Sequence, residues 1–347
     1  MKTAFLTGIR QLEIRDVPEP KIINPDDVLI RIDVVGVCGS DVHYYKTGRI
    51  GSLVVEFPFP VGHECAGEVV RVGPEVTGIE VGQRVVVDPL INCGRCDQCL
   101  TGRPHTCRRQ KFLGCPGQAP GSLSEYYVMP ARCCYPVPDS VTQVQAVLCE
   151  PLSIGVYAAH LAGQAEGKKA AILGSGPIGL CALLALRAAG LRTAYSTDLI
   201  DERLAVAQRC GADWTGNPNQ QDVVAEILQA APGGVDFAFE CAGEQETLDQ
   251  GIELLAPGGA LLMVGIPAED CVRFSAEKMR RKELRFQNVR RQNECVQPAI
   301  DLLADGKVDV GPLMTHHFPL AEAKKAFDLV SEYKDGVVKA IIHVSER

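Results

Sequence analysis

No apolar run in this sequence approaches the roughly 20 residues needed to cross a bilayer, which sets aside a transmembrane helix. Positive charge is in deficit too: 35 Lys and Arg face 43 Asp and Glu, a formal net charge of -8. Such a chain has no basic footprint for a phosphate backbone or an anionic lipid surface, so nucleic acid and membranes are excluded as partners. Repeats and low-complexity linkers are also missing. At the N-terminus, Met1 to Leu6 leads into Arg10 and Glu13 before a secretory apolar region can develop. The expectation is a soluble, cytoplasmic protein.

What is present is globular. Hydrophobic residues make up 46% and charged residues 22%, and 347 residues exceed the size one core usually serves, so two domains are expected. The 15 cysteines are an odd number in a large chain without an export signal, which argues for reduced thiols, some of them binding metal, over a disulfide framework.

The first 150 or so residues carry short apolar runs between Gly and Pro, such as Val28 to Val35 and Gly67 to Gly73, and predict an irregular β domain. From Lys168 strands alternate with helices: Lys169 to Leu173, Thr193 to Thr197, Val235 to Glu240 and Ala260 to Val264 as strands, with Pro177 to Ala189, Arg203 to Cys210 and Thr247 to Leu255 as helices. Alternation of this kind predicts βαβ units and a parallel sheet. Helices near Pro298 to Ala304 and Ala321 to Val330 and a strand from Val338 to Val344 complete the reading.

Four thiols, Cys93, Cys96, Cys99 and Cys107, fall in one short loop. Two-residue gaps let successive thiolates converge on a tetrahedral ion, and the fourth returns from a turn to close the site, which predicts a structural zinc. The stretch Gly174-Ser-Gly176-Pro177-Ile178-Gly179 follows an apolar strand and opens an apolar helix. Gly174 suits the tight turn, Gly176 a close approach to a pyrophosphate, and Gly179 close helix packing. Asp198 ends the next strand where an acid grips both ribose hydroxyls, and Leu199 and Ile200 offer no cation to a 2′-phosphate, so NAD is the expected cofactor.

Cys38 and the adjacent pair His63-Glu64 lie on separate segments and are compatible either with an open zinc site or with an ordinary loop histidine near a thiol. Residue types alone leave both readings open.

Taken together, Cys38-Gly-Ser-Asp-Val-His-Tyr44, Gly48-Arg-Ile-Gly51, Gly62-His-Glu64, the four-thiol loop, Glu150-Pro-Leu-Ser153, the Gly174 fingerprint and Thr315-His-His-Phe-Pro-Leu320 resemble the zinc-dependent medium-chain dehydrogenases across essentially the whole chain. Within that family they look most like the sorbitol (L-iditol) and xylitol dehydrogenases. The resemblance implies an α/β chain with a β-rich part: a GroES-like catalytic domain, 1–151, completed by 291–347, and a Rossmann NAD-binding domain, 152–290.

It further implies Cys38, His63 and Glu64 as catalytic zinc ligands, with Glu150 rather than the adjacent Cys149 holding the zinc-bound water. Asp41 matches an acid that orients the ligand histidine, Ser40 and His43 match the proton relay, and Asp198 and Arg203 the ribose and adenine contacts. Tyr44 and either Arg290 or Arg291 are candidate contacts to the substrate. The tyrosine usual in the Val289-Arg290-Arg291-Gln292-Asn293 region is absent, which leaves the polyol unspecified. The expected activity is oxidation of a secondary hydroxyl of a small polyol to a ketose, with NAD, two zinc ions per chain and assembly as a homodimer or homotetramer. A threonine dehydrogenase, a simple secondary-alcohol dehydrogenase and a non-catalytic NAD-binding or redox-sensing protein are the alternatives.

Overall fold

The computed structural model describes residues 1–267 and 271–345, and the chain divides into two compact units, Met1–Glu150 with Met314–Arg347, and Pro151–Leu313. The first unit is organised around Asp27–Gly36, an apolar strand buried along nearly all its length. One edge pairs antiparallel with Glu64–Val72, placing Gly36 opposite Glu64. The other edge is shared by Tyr126–Pro130 and by Lys339–His343, the latter setting Ile341 opposite Gly36. Strands remote in sequence therefore end side by side around Gly36.

Immediately after this strand comes the helix Gly39–Thr47, which carries Ser40, Asp41, His43 and Tyr44. Its anchor is Tyr45, fully buried, whose ring meets Phe327 edge-on at 5.4 Å and whose hydroxyl donates to Asp328 Oδ1 at 2.6 Å. Edge-to-face aromatic pairs of this kind add roughly 0.5–1.5 kcal/mol beyond their burial. The helix Ala323–Ser331 thereby holds the helix that presents the candidate relay residues.

In the second unit a six-stranded parallel sheet has the spatial order Trp214–Gly216, Thr193–Thr197, Lys169–Leu173, Val235–Glu240, Leu255–Met263, Arg285–Asn288. That is the doubly wound order whose reversal point lies beside the first strand, where dinucleotides bind. Ala170 to Leu173 are completely buried, and so are Leu180 to Leu183 of the helix Pro177–Ala188, which explains the continuous apolar runs in both segments.

Two features depart from expectation. The division between units falls after Leu313, not at 291. Residues 291–313 make their contacts within the second unit: Cys295 Sγ lies 3.7 Å from His160 Nδ1, and the helix Val296–Ala304 buries Val296, Ala299 and Ile300. In addition, the short strands Trp214–Gly216 and Arg285–Asn288 and the helices Val223–Ala230 and Ala276–Lys282 were not foreseen. Each strand covers only three or four residues, too few to establish a period of two.

Candidate active site and metal centres

The four-thiol loop converges as its spacing predicts. Cys93, Cys96, Cys99 and Cys107 bring their sulfurs within 4.8 Å of one another. Sγ of Cys96 lies 3.6 Å from that of Cys99 and 3.8 Å from that of Cys107. Zn–S bonds of about 2.3 Å in a tetrahedron require sulfurs about 3.8 Å apart, so the donor set fits a zinc ion. Backbone N–H groups favour the thiolate form: Cys93 N and Arg109 N point at Cys107 Sγ, and the Arg108 backbone leads the effects that lower the Cys96 thiol to about 6.

A second group forms where the central sheet of the first unit ends. Cys38 begins the Gly39–Thr47 helix, while His63 and Glu64 stand at the start of Glu64–Val72, and the ligand atoms of all three come within 4.8 Å. Asp41 is completely buried, with Oδ1 3.3 Å from His63 Nδ1, which leaves Nε2 for a metal. Burial opposes a charge on His63, but Asp41 and the Cys38 thiol outweigh it, so its pKa stands well above the ordinary value. An environment that attracts a proton so strongly suits the cation that would replace it. Ser40 Oγ donates to Cys38 Sγ at 3.4 Å. Burial and the neighbouring Glu64 push the Glu150 carboxyl up to about 7, against the pull of His63 and Lys339.

Two neighbours were not foreseen. Lys339, with 1% of its surface exposed, donates from Nζ to both Glu64 oxygens at 2.7 Å and to Val37 O at 3.2 Å. Room for this exists because Gly36 has no side chain: a Cβ there would overlap Glu64 Oε2. The Phe112 ring lies 5.3 Å from that of His63 and forms an apolar wall.

Of the remaining candidates on this helix, His43 is exposed and has a lowered pKa through partial desolvation and the nearby Lys46. Tyr44 is buried, its hydroxyl 3.9 Å from Cys115 Sγ, so the structure packs it into the core. Arg290 and Arg291 belong to the other unit, Arg290 exposed and Arg291 half-buried with φ of 55°.

The dinucleotide fingerprint is built as expected. Gly174 adopts φ of 102°, and any Cβ on Gly179 would collide with Gly174 O, so the strand-to-helix turn closes only with glycine there. Gly176 caps the helix that Pro177 begins, leaving N–H groups directed at the site of a phosphate. Asp198 Oδ2 accepts from Ser175 N at 2.8 Å and Oδ1 from Ile200 N at 2.9 Å, which fixes the carboxylate at the strand end. Arg203 is buried, its guanidinium facing Gly176. Glu240, also unforeseen, accepts from Ala242 N, Gly243 N and Thr247 Oγ1 at 2.7–2.8 Å and holds the loop that packs against Gly174.

Residues 24–139 match the alcohol dehydrogenase GroES-like domain and 177–305 the zinc-binding dehydrogenase family. A sorbitol dehydrogenase of Bacillus subtilis is 37% identical over 344 residues, covering 99% of this chain and 97% of the relative. The chain belongs to the zinc-binding, medium-chain dehydrogenases. An L-idonate 5-dehydrogenase of Vitis vinifera, another member, is 37% identical over 94% of this chain and 90% of its own length. Among solved structures, 2R,3R-butanediol dehydrogenase from Bacillus subtilis superposes with a TM-score of 0.90 at 31% identity, covering 99% of each chain. An Escherichia coli oxidoreductase of unknown specificity reaches 0.94 at 31% identity, with 99% of each chain covered. This dehydrogenase thus joins a GroES-like domain to a Rossmann domain, and among its described residues no helix is long and apolar enough to cross a membrane.

Proposed function

We propose that this dehydrogenase oxidises a secondary hydroxyl of a small polyol to a ketose, with NAD as hydride acceptor and two zinc ions per chain. The observation that carries the reading is the carboxylate-rich metal centre, where Glu64 joins Cys38 and His63 and a buried Glu150 stands nearby. Relatives named for sorbitol and idonate support the substrate class. The thiol cage would hold a structural zinc, and Cys38, His63 and Glu64 a catalytic one.

When bound, the second zinc supplies Lewis acidity toward the substrate hydroxyl, and NAD accepts the hydride. The chain's own residues do the rest. Asp41 fixes the His63 ring, and Ser40, beside Cys38, relays the hydroxyl proton by accepting it as its own passes to a neutral His43 three residues on, which releases it to solvent. Phe112 excludes water from one side. Glu150 holds polar company for a substrate rich in hydroxyls. Asp198 pairs with both ribose hydroxyls and repels a 2′-phosphate. We further infer a homodimer or homotetramer working in the cytoplasm.

A panel of polyols and simple secondary alcohols with NAD and NADP, followed by reduced-cofactor absorbance, tests this. Polyols with NAD should react well and propan-2-ol poorly, because a site built to pair hydroxyls penalises analogues that lack them. Arg291→Ala should raise KM for the polyol and leave a simple alcohol nearly unchanged; the same effect from Arg290→Ala alone would move the contact to Arg290. Efficient turnover of simple alcohols with no polyol activity, or dependence on an amino acid, would overturn the reading.

A further inference from the structure

Lys339 is a buried cation beside a proposed metal ligand, and the reaction as described gives it no part. Its ammonium donates to both oxygens of Glu64 and to Val37 O, the carbonyl immediately before Cys38. The backbone next to it is pinned as well. Val37 N donates to Ala340 O at 2.9 Å, and the Lys339–His343 strand runs along Gly36, opposite the residue that begins Glu64–Val72. The seat of Glu64 between the ammonium and the ligand group depends on the missing side chain at Gly36.

We infer that Lys339 is a positioning residue that makes Glu64 a displaceable metal ligand. A carboxylate oxygen has two lone pairs, so Glu64 retains capacity for a metal ion while both oxygens accept from Nζ. The ammonium and the ion then draw on one anion, and each weakens the other's hold on it. Where Glu64 yields, the position beside Cys38 and His63 opens to an incoming oxygen or nitrogen donor while the carboxylate stays paired in the interior. A purely structural ion pair would act otherwise: its loss would loosen the local fold and leave metal release unchanged or faster.

This inference rests on Cys38, His63 and Glu64 being ligands, and the experiment separates the two claims. Zinc is counted in the purified wild-type holoenzyme, and the rate at which the second ion passes to a chelator is compared with that of K339M, which keeps the length of the stem and removes the charge. K339M should release the ion about tenfold more slowly, in the range by which outer groups usually tune a metal site. In cobalt-substituted enzyme, imidazole should perturb the visible bands of wild type at about tenfold lower concentration than those of K339M. K339R should restore both behaviours, and K339Q replaces K339M if the latter does not fold. Two ions in wild type, with a folded K339M or K339Q losing the second as fast as wild type or faster, overturns the role of Lys339 alone. Zinc confined to the four-thiol cage overturns the ligand reading and this inference with it.

Discussion

Asp41 Oδ1 lies 3.3 Å from His63 Nδ1, and Asp41 Oδ2 is buried with no hydrogen-bond partner among the described residues. A buried acid with one oxygen committed to a ring nitrogen fixes the tautomer of the histidine and raises the basicity of its other nitrogen. Asp41→Asn keeps an acceptor and removes the charge. The second zinc should bind roughly 10- to 100-fold more weakly while the four-thiol zinc stays in place. Equilibrium dialysis against graded chelator reads this, and unchanged affinity would end the role assigned to Asp41.

The two metal centres should empty in sequence. Cys38 and the adjacent pair His63-Glu64 come from two segments and supply three ligand atoms, whereas Cys93, Cys96, Cys99 and Cys107 supply four within one loop. Mild chelation should abolish activity with little change in circular dichroism, and stronger chelation should then lower the melting temperature. Simultaneous loss of activity and fold at every chelator concentration would contradict this order.

Cofactor choice should depend on Asp198, whose carboxylate the N–H groups of Ser175 and Ile200 hold in place. A hydrogen bond to a charged group is worth roughly 1.5–3 kcal/mol. Asp198→Ala should therefore cut kcat/KM for NAD by about tenfold or more and narrow the preference over NADP. Equal use of both cofactors by wild type would remove the basis for this assignment.

Acid should weaken the anchor of the Gly39–Thr47 helix. Burial tends to raise the Asp328 carboxyl, but bonds from Lys324 and Tyr45 outweigh it and hold its pKa below the ordinary value. A depressed carboxyl contributes stability above its unfolded pKa of about 3.9 and loses it as pH falls through the lower folded value. With 37% of its side chain exposed, the contribution is below about 1 kcal/mol. Asp328→Asn should lower stability at neutral pH and flatten the acid limb of a pH–stability profile. An acid limb as steep as that of wild type would refute this.

What was legible in the sequence was local. Cys93 to Cys107 and Gly174 to Gly179 each place all their chemistry within one loop, and spacing there determines geometry. Lys339 was not legible, because it meets Glu64 across 275 residues and a lysine heading an apolar strand reads as a solvated end. Phe112 and Glu240 were hidden in the same way, being ordinary residues until the fold sets one against His63 and the other beneath the fingerprint turn. The sequence suggests a boundary near 291, ahead of the one the structure shows, because the apolar face of the Val296–Ala304 helix does not say which core receives it. The Tyr44 hydroxyl suggests a substrate contact in the sequence, but the helix turns it into the core, where Cys115 meets it.

The strand Lys339–His343 pairs with Asp27–Gly36, so the ribosome makes the two halves of the first unit with the whole second unit in between. Domains generally fold as they emerge, and the uninterrupted Pro151–Leu313 unit can do so at once. The group around Cys38 must wait for its counter-ion until the last strand of the sheet has been synthesised. A nascent chain would therefore gain its nucleotide-binding half before a finished metal centre, and a message truncated before Lys339 would leave Glu64 without its counter-ion.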